Sequence, residues 1–223
     1  MLRSYSRGVE HTLSGVGVLD KAVRVLGALT NGPRTLGELQ RATGLPRATA
    51  HRLAVALEAH DLARRDADGR FALGLGLTAL GRAALDSFPL GEVARPALEW
   101  LRAETQESVQ LYVRDGDRRV CVESLESPHG LRTIVAVGAA LPLGLGSAGK
   151  VLRGAGGDVV ESVGEREAGV ASVSAPVRAS GGEILAAVSV SGPIERTTKR
   201  PSLRYGEAVR RAAAMVERAA GLR

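Results

Sequence analysis

The 223-residue chain has one cysteine, Cys121, and three lysines, Lys21, Lys150 and Lys199. A single cysteine excludes an intramolecular disulfide framework and any multi-cysteine zinc site, and suits a reducing cytoplasm. No run of 18 or more apolar residues occurs, so no membrane-spanning helix is expected. The opening MLRSYSRGVEHTLSG lacks the apolar centre of a signal peptide, and residues 1–15 are expected to form a disordered arm on a protein that stays in the cytoplasm, near the nucleoid. Histidines are few and scattered: His11, His51, His60 and His129 offer no nucleophile–base pair and no metal cluster. An enzyme is therefore disfavoured, and no cofactor or metal is expected. What the chain does have is arginine and enough length for two modest cores without staples. The formal charge is +6. Met1–Leu80 carries eleven basic and seven acidic side chains, so the excess sits at the front, where it favours an anionic polymer as partner.

Val18 to Leu29, VLDKAVRVLGAL, sets Leu19, Ala22, Val23, Leu26 and Leu29 at amphipathic-helix spacing, stopped by Asn31-Gly32-Pro33. Thr35-Leu36-Gly37-Glu38 is a capping box for a second helix, with Leu36, Leu39 and Ala42 inward and Gly44 at its end. Pro46 falls at the first position of a third helix. Its buried stripe is Ala50, Leu53, Ala54 and Leu57; the opposite face carries Ala48, Arg52, Val55 and Ala59, flanked by Thr49 and His51. This helix begins with Arg47 and has no acid before Glu58, although its dipole favours one there. An external phosphate would fill that place. Leu62–Asp66 and Arg70–Leu73 predict two strands turning at Asp68-Gly69 and lined by Arg64, Arg65 and Arg70.

Three helices, a tight turn and a basic two-stranded wing are the parts of a winged helix-turn-helix. Phosphate contacts are expected from Thr35, Arg47, Arg64, Arg65 and Arg70, and base discrimination from Thr49, His51 and Arg52. Such cores also serve as protein-binding modules; the basic third helix and wing favour double-stranded DNA.

Further on, Leu75–Asp86 predicts a helix with Leu77, Leu80, Ala83 and Ala84 on one side, and Glu92–Glu107 another. VQLYV (109–113), RRVCVES (118–124) and RTIVAV (132–137) alternate as strands, with Asp115-Gly116 turning between the first two. Cys121 lies in such an alternation and reads as small hydrophobic packing. GVASVSAPVRASGGEILAAVSVSGP predicts a hairpin around Ser180-Gly181-Gly182, and Ser202–Ala220 a closing helix that buries Leu203, Val209, Ala212, Ala213 and Val216.

GLGSAGK (144–150) matches the glycine spacing of a dinucleotide loop and of a P-loop. Val151 stands where a P-loop needs Ser or Thr for magnesium, and the preceding GAALPL, broken by Pro142, is no buried strand. What remains is a helix start with unobstructed amides, able to receive a carboxylate.

VLDKAVRVLGAL, TLGELQRATGLPRATAHRLAVALE, GRFALG, GVASVSAPV and AAVSVSGPIERTT together resemble the IclR family of bacterial transcriptional regulators, over most of the chain from about Val16 onward. GEREAGVASVSAPVR and VSVSGPIERTT are similar to runs of its actinobacterial branch that regulates leucine and other amino-acid metabolism. The resemblance implies an α/β (α+β) chain: a winged helix-turn-helix over 16–74, a linker helix over 75–90 and a GAF-like effector-binding domain with a mixed sheet over 91–223. It also implies a homodimer or homotetramer on a pseudopalindromic operator. The implied effector, a small carboxylate or amino acid, would meet Gly146, Ser147 and Ala148 at the helix start and Ser189 and Ser191 on a facing strand. The chain departs from the family after Arg153: seven residues separate it from Glu161, where a pair of helices is usual. A wall of the effector pocket is thereby altered, and loss of effector binding, leaving a constitutive DNA-binding regulator, is the alternative.

Overall fold

The computed structural model describes residues 14–86 and 89–222, and the expected arm lies outside them but for its last two residues. The chain divides into two compact units, Met1–Asp86 and Ser87–Arg223.

The first unit holds helices α1 (Gly17–Leu29), α2 (Leu36–Thr43) and α3 (Arg47–Ala59), a two-stranded antiparallel wing of β1 (Ala63–Arg65) and β2 (Phe71–Leu73), and α4 (Gly76–Asp86). Its core joins Val25, Leu29, Leu39, Ala50, Ala54 and Phe71. The buried stripe of α1 runs through Ala22, Val25, Leu26 and Leu29, so Leu19 and Val23, expected inside, are exposed. On α2 the inward neighbour of Leu39 is Thr43, and Ala42 is exposed. Thr43 tolerates burial because its hydroxyl donates to the Leu39 carbonyl at 2.6 Å. The capping box forms as expected, and Gly44 closes α2 at φ 66°, a left-handed conformation that a side chain would strain. On α4 Leu77 is half-buried while Leu80, Ala83 and Ala84 are exposed; an apolar stripe is hidden only where another surface meets it.

The second unit is a six-stranded sheet in the order β5-β4-β3-β8-β7-β6, made of β3 (Ser108–Asp115), β4 (Arg118–Leu125), β5 (Ala140–Pro142), β6 (Val160–Val163), β7 (Val170–Arg178) and β8 (Ile184–Pro193). Every described pairing is antiparallel, where a mixed sheet was expected. Tight turns join β3 to β4 and β7 to β8, which forces antiparallel neighbours. Helices α5 (Leu90–Thr105) and α8 (Pro201–Ala219) pack on one face, against Val109, Leu111, Val173, Val188 and Val190. The short α6 (Gly146–Leu152) packs on the other, against Tyr112, Cys121 and Ala187. A one-turn helix, α7 (Ile194–Thr197), follows β8.

Residues 132–136 form no strand: the Thr133 carbonyl is taken by the Ser108 hydroxyl at 2.6 Å, and β4 pairs with β5 instead. Leu203 is 74% exposed, because it projects opposite to the Tyr205–Val209–Val216 stripe that α8 buries. After Arg153 the amides of Gly154 and Ala155 close the end of α6 on the carbonyls of Val151 and Lys150, and the shortened stretch then leads to β6, an unforeseen strand at the sheet edge.

Candidate DNA-reading surface and ligand pocket

Helix α3 buries Ala50, Ala54 and Leu57 and leaves Arg47, His51 and Arg52 exposed, with Thr49 half-buried at the boundary. Pro46 is its N-cap, one residue ahead of the expected position, so the first turn has neither a side-chain cap nor an acid. The positive dipole end there is met by neither a capping side chain nor a first-turn carboxylate, and Arg47 adds a further positive charge. Among the described residues Arg47, Arg52 and Arg64 have no carboxylate partner.

The other predicted contacts are engaged within the unit. Thr35 spends its hydroxyl and amide on Glu38, at 2.9 and 2.8 Å, and these bonds hold the Glu38 carboxyl below its usual range. Arg70 bridges Asp66 and Asp68, each at 2.9 Å, and braces the wing turn. Arg65 lies over Phe71 and pairs with Glu58 at 3.4 Å, tying the wing to α3. Arg64 is the wing cation left to solvent.

In the second unit, alternation sorts the strands into two chemistries. The Val/Ser repeats of β7 and β8 send Val173, Val177, Val188 and Val190 to the α5–α8 core and Ser172, Ser174, Ser189 and Ser191 to the opposite face. There Ser174 and Gln110 flank Ser189 in one row, and Ser172 and Ser108 flank Ser191 in the next. Ser147 of α6 caps the array: its hydroxyl lies 2.8 Å from that of Ser172 and 2.7 Å from that of Ser174, which donates to Ser189 at 2.9 Å. A narrow pocket opens between this face and α6. Gly146, Ser147, Ala148, Ser189 and Ser191, all expected at an effector site, line it together. The Gly146 amide is already taken by Glu165 at 3.3 Å, and Lys150 pairs with the same carboxylate. Burial raises the Glu165 carboxyl, but the Lys150 ammonium and that amide outweigh it and leave it below the usual range.

Arg119, Gln110, Tyr112, Ser172 and Arg166 also line the pocket and were not foreseen. Ser189 and Ser191 came with the family resemblance, and the paired register of β7 and β8 sets Ser172 and Ser174 beside them. Arg119 sits on the face of Cys121 in RRVCVES, but nothing in that run says that its charge stays inside. It is 3% exposed, donates to the carbonyls of Pro142 and Leu145, and stacks 5.3 Å from the Tyr112 ring centroid. Burial draws its guanidinium below the usual value; Tyr112 pulls it upward more than the positive charge of Arg166 pushes it down, but does not offset the burial. Cys121 lies beneath, its thiol pushed up to about 12 by burial, which leaves it an inert packing group.

The chain matches the family model of the IclR helix-turn-helix domain over residues 18–67 and that of the bacterial transcriptional regulator IclR C-terminal domain over 82–163 and 157–218. It is 34% identical to the HTH-type transcriptional regulator KipR of Bacillus subtilis (strain 168) over 128 residues, which is 57% of this chain and 51% of KipR. It is 25% identical to the HTH-type transcriptional repressor AllR of Escherichia coli (strain K12), across 94% of this chain and 92% of AllR. Among solved structures it is similar to a regulator from Rhodococcus sp. RHA1, with a TM-score of 0.74 at 26% identity over 92% of this chain and 98% of the other. It shares its fold with an IclR homolog from Microbacterium hydrocarbonoxydans complexed with 4-hydroxybenzoate, with a TM-score of 0.75 at 23% identity over 91% and 98%.

Proposed function

The chain belongs to the IclR family of bacterial transcriptional regulators, and from that premise we propose that it is a ligand-responsive regulator acting in the cytoplasm. A winged unit over 16–74 reads a pseudopalindromic operator, α4 (Gly76–Asp86) is the linker helix, shorter than the 75–90 expected, and the second unit takes a small carboxylate, free or within an amino acid. A homodimer or dimer of dimers presents two winged units to the two half-sites. Arg47 and Arg64 hold phosphates, joined by Thr35, Arg65 and Arg70 where DNA competes for their present partners; Thr49, His51 and Arg52 read bases. The observation that carries this is α3, whose first turn lacks any acid or side-chain cap and whose exposed side presents Arg47, His51 and Arg52.

Repression is the direction proposed, by analogy with the AllR repressors. The likeness of GEREAGVASVSAPVR and VSVSGPIERTT to amino-acid metabolism regulators supports targets of that kind. The pocket persists despite the shortened stretch after Arg153, which favours effector control over a constitutive regulator. A ligand shifts operator affinity only by its differential affinity for the two states. Operator affinity measured with and without a panel of small carboxylates and amino acids tests this: at least one member should change it, and a flat response across the panel contradicts effector control.

A further inference from the structure

Two buried donors of residues that line the pocket, Gln110 Nε2 and Arg119 Nε, have no hydrogen-bond partner among the described residues. Gln110 is 1% exposed, and its amide oxygen already accepts from Ser191 at 3.1 Å. Arg119 is the stronger clue. Burying a guanidinium is costly unless a counter-charge answers it, yet this one meets two carbonyls and the Tyr112 side chain, ring and hydroxyl, and no carboxylate among the described residues. A second guanidinium, Arg166, lines the same pocket with one carboxylate, Glu167, 3.7 Å from it. Two positive charges and one negative leave the pocket short of an anion.

The glycines of GLGSAGK acquire a reason here. A Cβ on Gly149 would fall 2.8 Å from Arg119 Nη1 and 2.3 Å from the Leu143 carbonyl oxygen, and one on Gly146 would fall 3.2 Å from Arg119 Nη2. The run that mimics a phosphate loop is a cradle for an arginine side chain.

Resting on the ligand-responsive function above, we propose that Arg119 determines the specificity of this pocket and selects a small, net-anionic, oxygen-rich carboxylate, a hydroxy or keto acid, over a zwitterionic amino acid or an aromatic acid. The carboxylate answers the guanidinium excess, and the neighbouring oxygen accepts from Gln110 Nε2 within reach of the Ser189 and Ser191 hydroxyls. An ammonium in that place would face a donor already lacking an acceptor and would add a third positive charge. An aromatic ring would find little apolar wall, since Tyr112, Ala148 and Val170 are the apolar contributors, and it would leave Gln110 unpaired.

Isothermal titration calorimetry on the full chain tests this with lactate, alanine and lactamide, then malate and aspartate, then 4-hydroxybenzoate. Lactate or malate should bind about tenfold or more tighter than the matched amino acid and, for lactate, than lactamide, and Arg119→Gln should remove that preference. Gln110→Leu should weaken the hydroxy acid while retaining the preference for an anion. Should Arg119→Gln fail to fold, the wild-type contrast of lactate, alanine and lactamide decides. Equal or tighter binding of the amino acids, binding of 4-hydroxybenzoate alone, or unchanged lactate affinity in folded Arg119→Gln overturns the proposal and leaves ligand responsiveness standing. No heat from any member, with operator binding intact, overturns both.

Discussion

Arg65 holds its guanidinium 4.1 Å above the ring centroid of Phe71 while its Nε meets Glu58 of α3 at 3.4 Å. Phe71 is itself in the core of the first unit. One arginine of the wing therefore has a structural task, whereas Arg64, the residue before it, has none among the described residues.

These neighbours should respond differently to removal. Arg64→Ala is expected to weaken DNA binding about equally on all sequences, to lower the salt slope by about 1, and to leave the melting temperature unchanged. Arg65→Ala should weaken binding and also lower the melting temperature, since it frees Glu58 and uncovers Phe71. Titrations at several salt concentrations, with a thermal melt of each variant, separate the two.

Arg52 is exposed on α3 with no carboxylate to hold it. Arg52→Ala should cost about 1–3 kcal/mol on the operator and relax the preference at one base position, with far less effect on unrelated DNA. Affinity across a set of single-base operator variants would show it as a flattened column.

Gly149 is barred from any side chain by the Leu143 carbonyl and Arg119. Gly149→Ala should destabilise the second unit by about 1–3 kcal/mol, the usual cost of overpacking, because the nearer obstacle is backbone. Denaturant unfolding followed by Trp100, which packs against the core of that unit, reports it directly.

Glu161 of β6 caps α8 from outside: its carboxylate accepts from the Ser202 amide at 3.0 Å and from the Ser202 hydroxyl. The hydroxyl, then the amide, holds this carboxyl below its usual value. A depressed carboxylate stabilises fully at neutral pH and loses its contribution as pH falls from the unfolded value through the folded one. Glu161→Gln should therefore cost about 1 kcal/mol at pH 7, a typical capping energy, and progressively less below about pH 4.5. An equal effect of the substitution at both ends of that range would show that the charge of Glu161 contributes nothing.

The winged unit was legible because its signals are local: Thr35 and Glu38 are three residues apart, Gly44 follows its helix directly, and the wing turns on adjacent residues. The alternation through GVASVSAPVRASGGEILAAVSVSGP likewise announced the β7–β8 hairpin. Two strands escaped notice. β5 is three residues long and includes a proline, and β6 lies in the stretch where the family pattern breaks off. Arg119 was illegible for a different reason. Its burial depends on Gly146 and Gly149, some thirty residues away, and on carbonyls from another segment. Periodicity along RRVCVES gives the face of the side chain and not its depth.

The most direct measurement is selection of sheared genomic DNA by the purified protein at physiological salt, with and without lactate or malate, followed by sequencing of what is retained. A ligand-responsive operator-binding regulator should enrich a shared two-fold-related site whose retention changes when the acid is present. Uniform retention that disappears as salt rises would mean that the winged unit holds DNA through charge alone, and would contradict operator recognition.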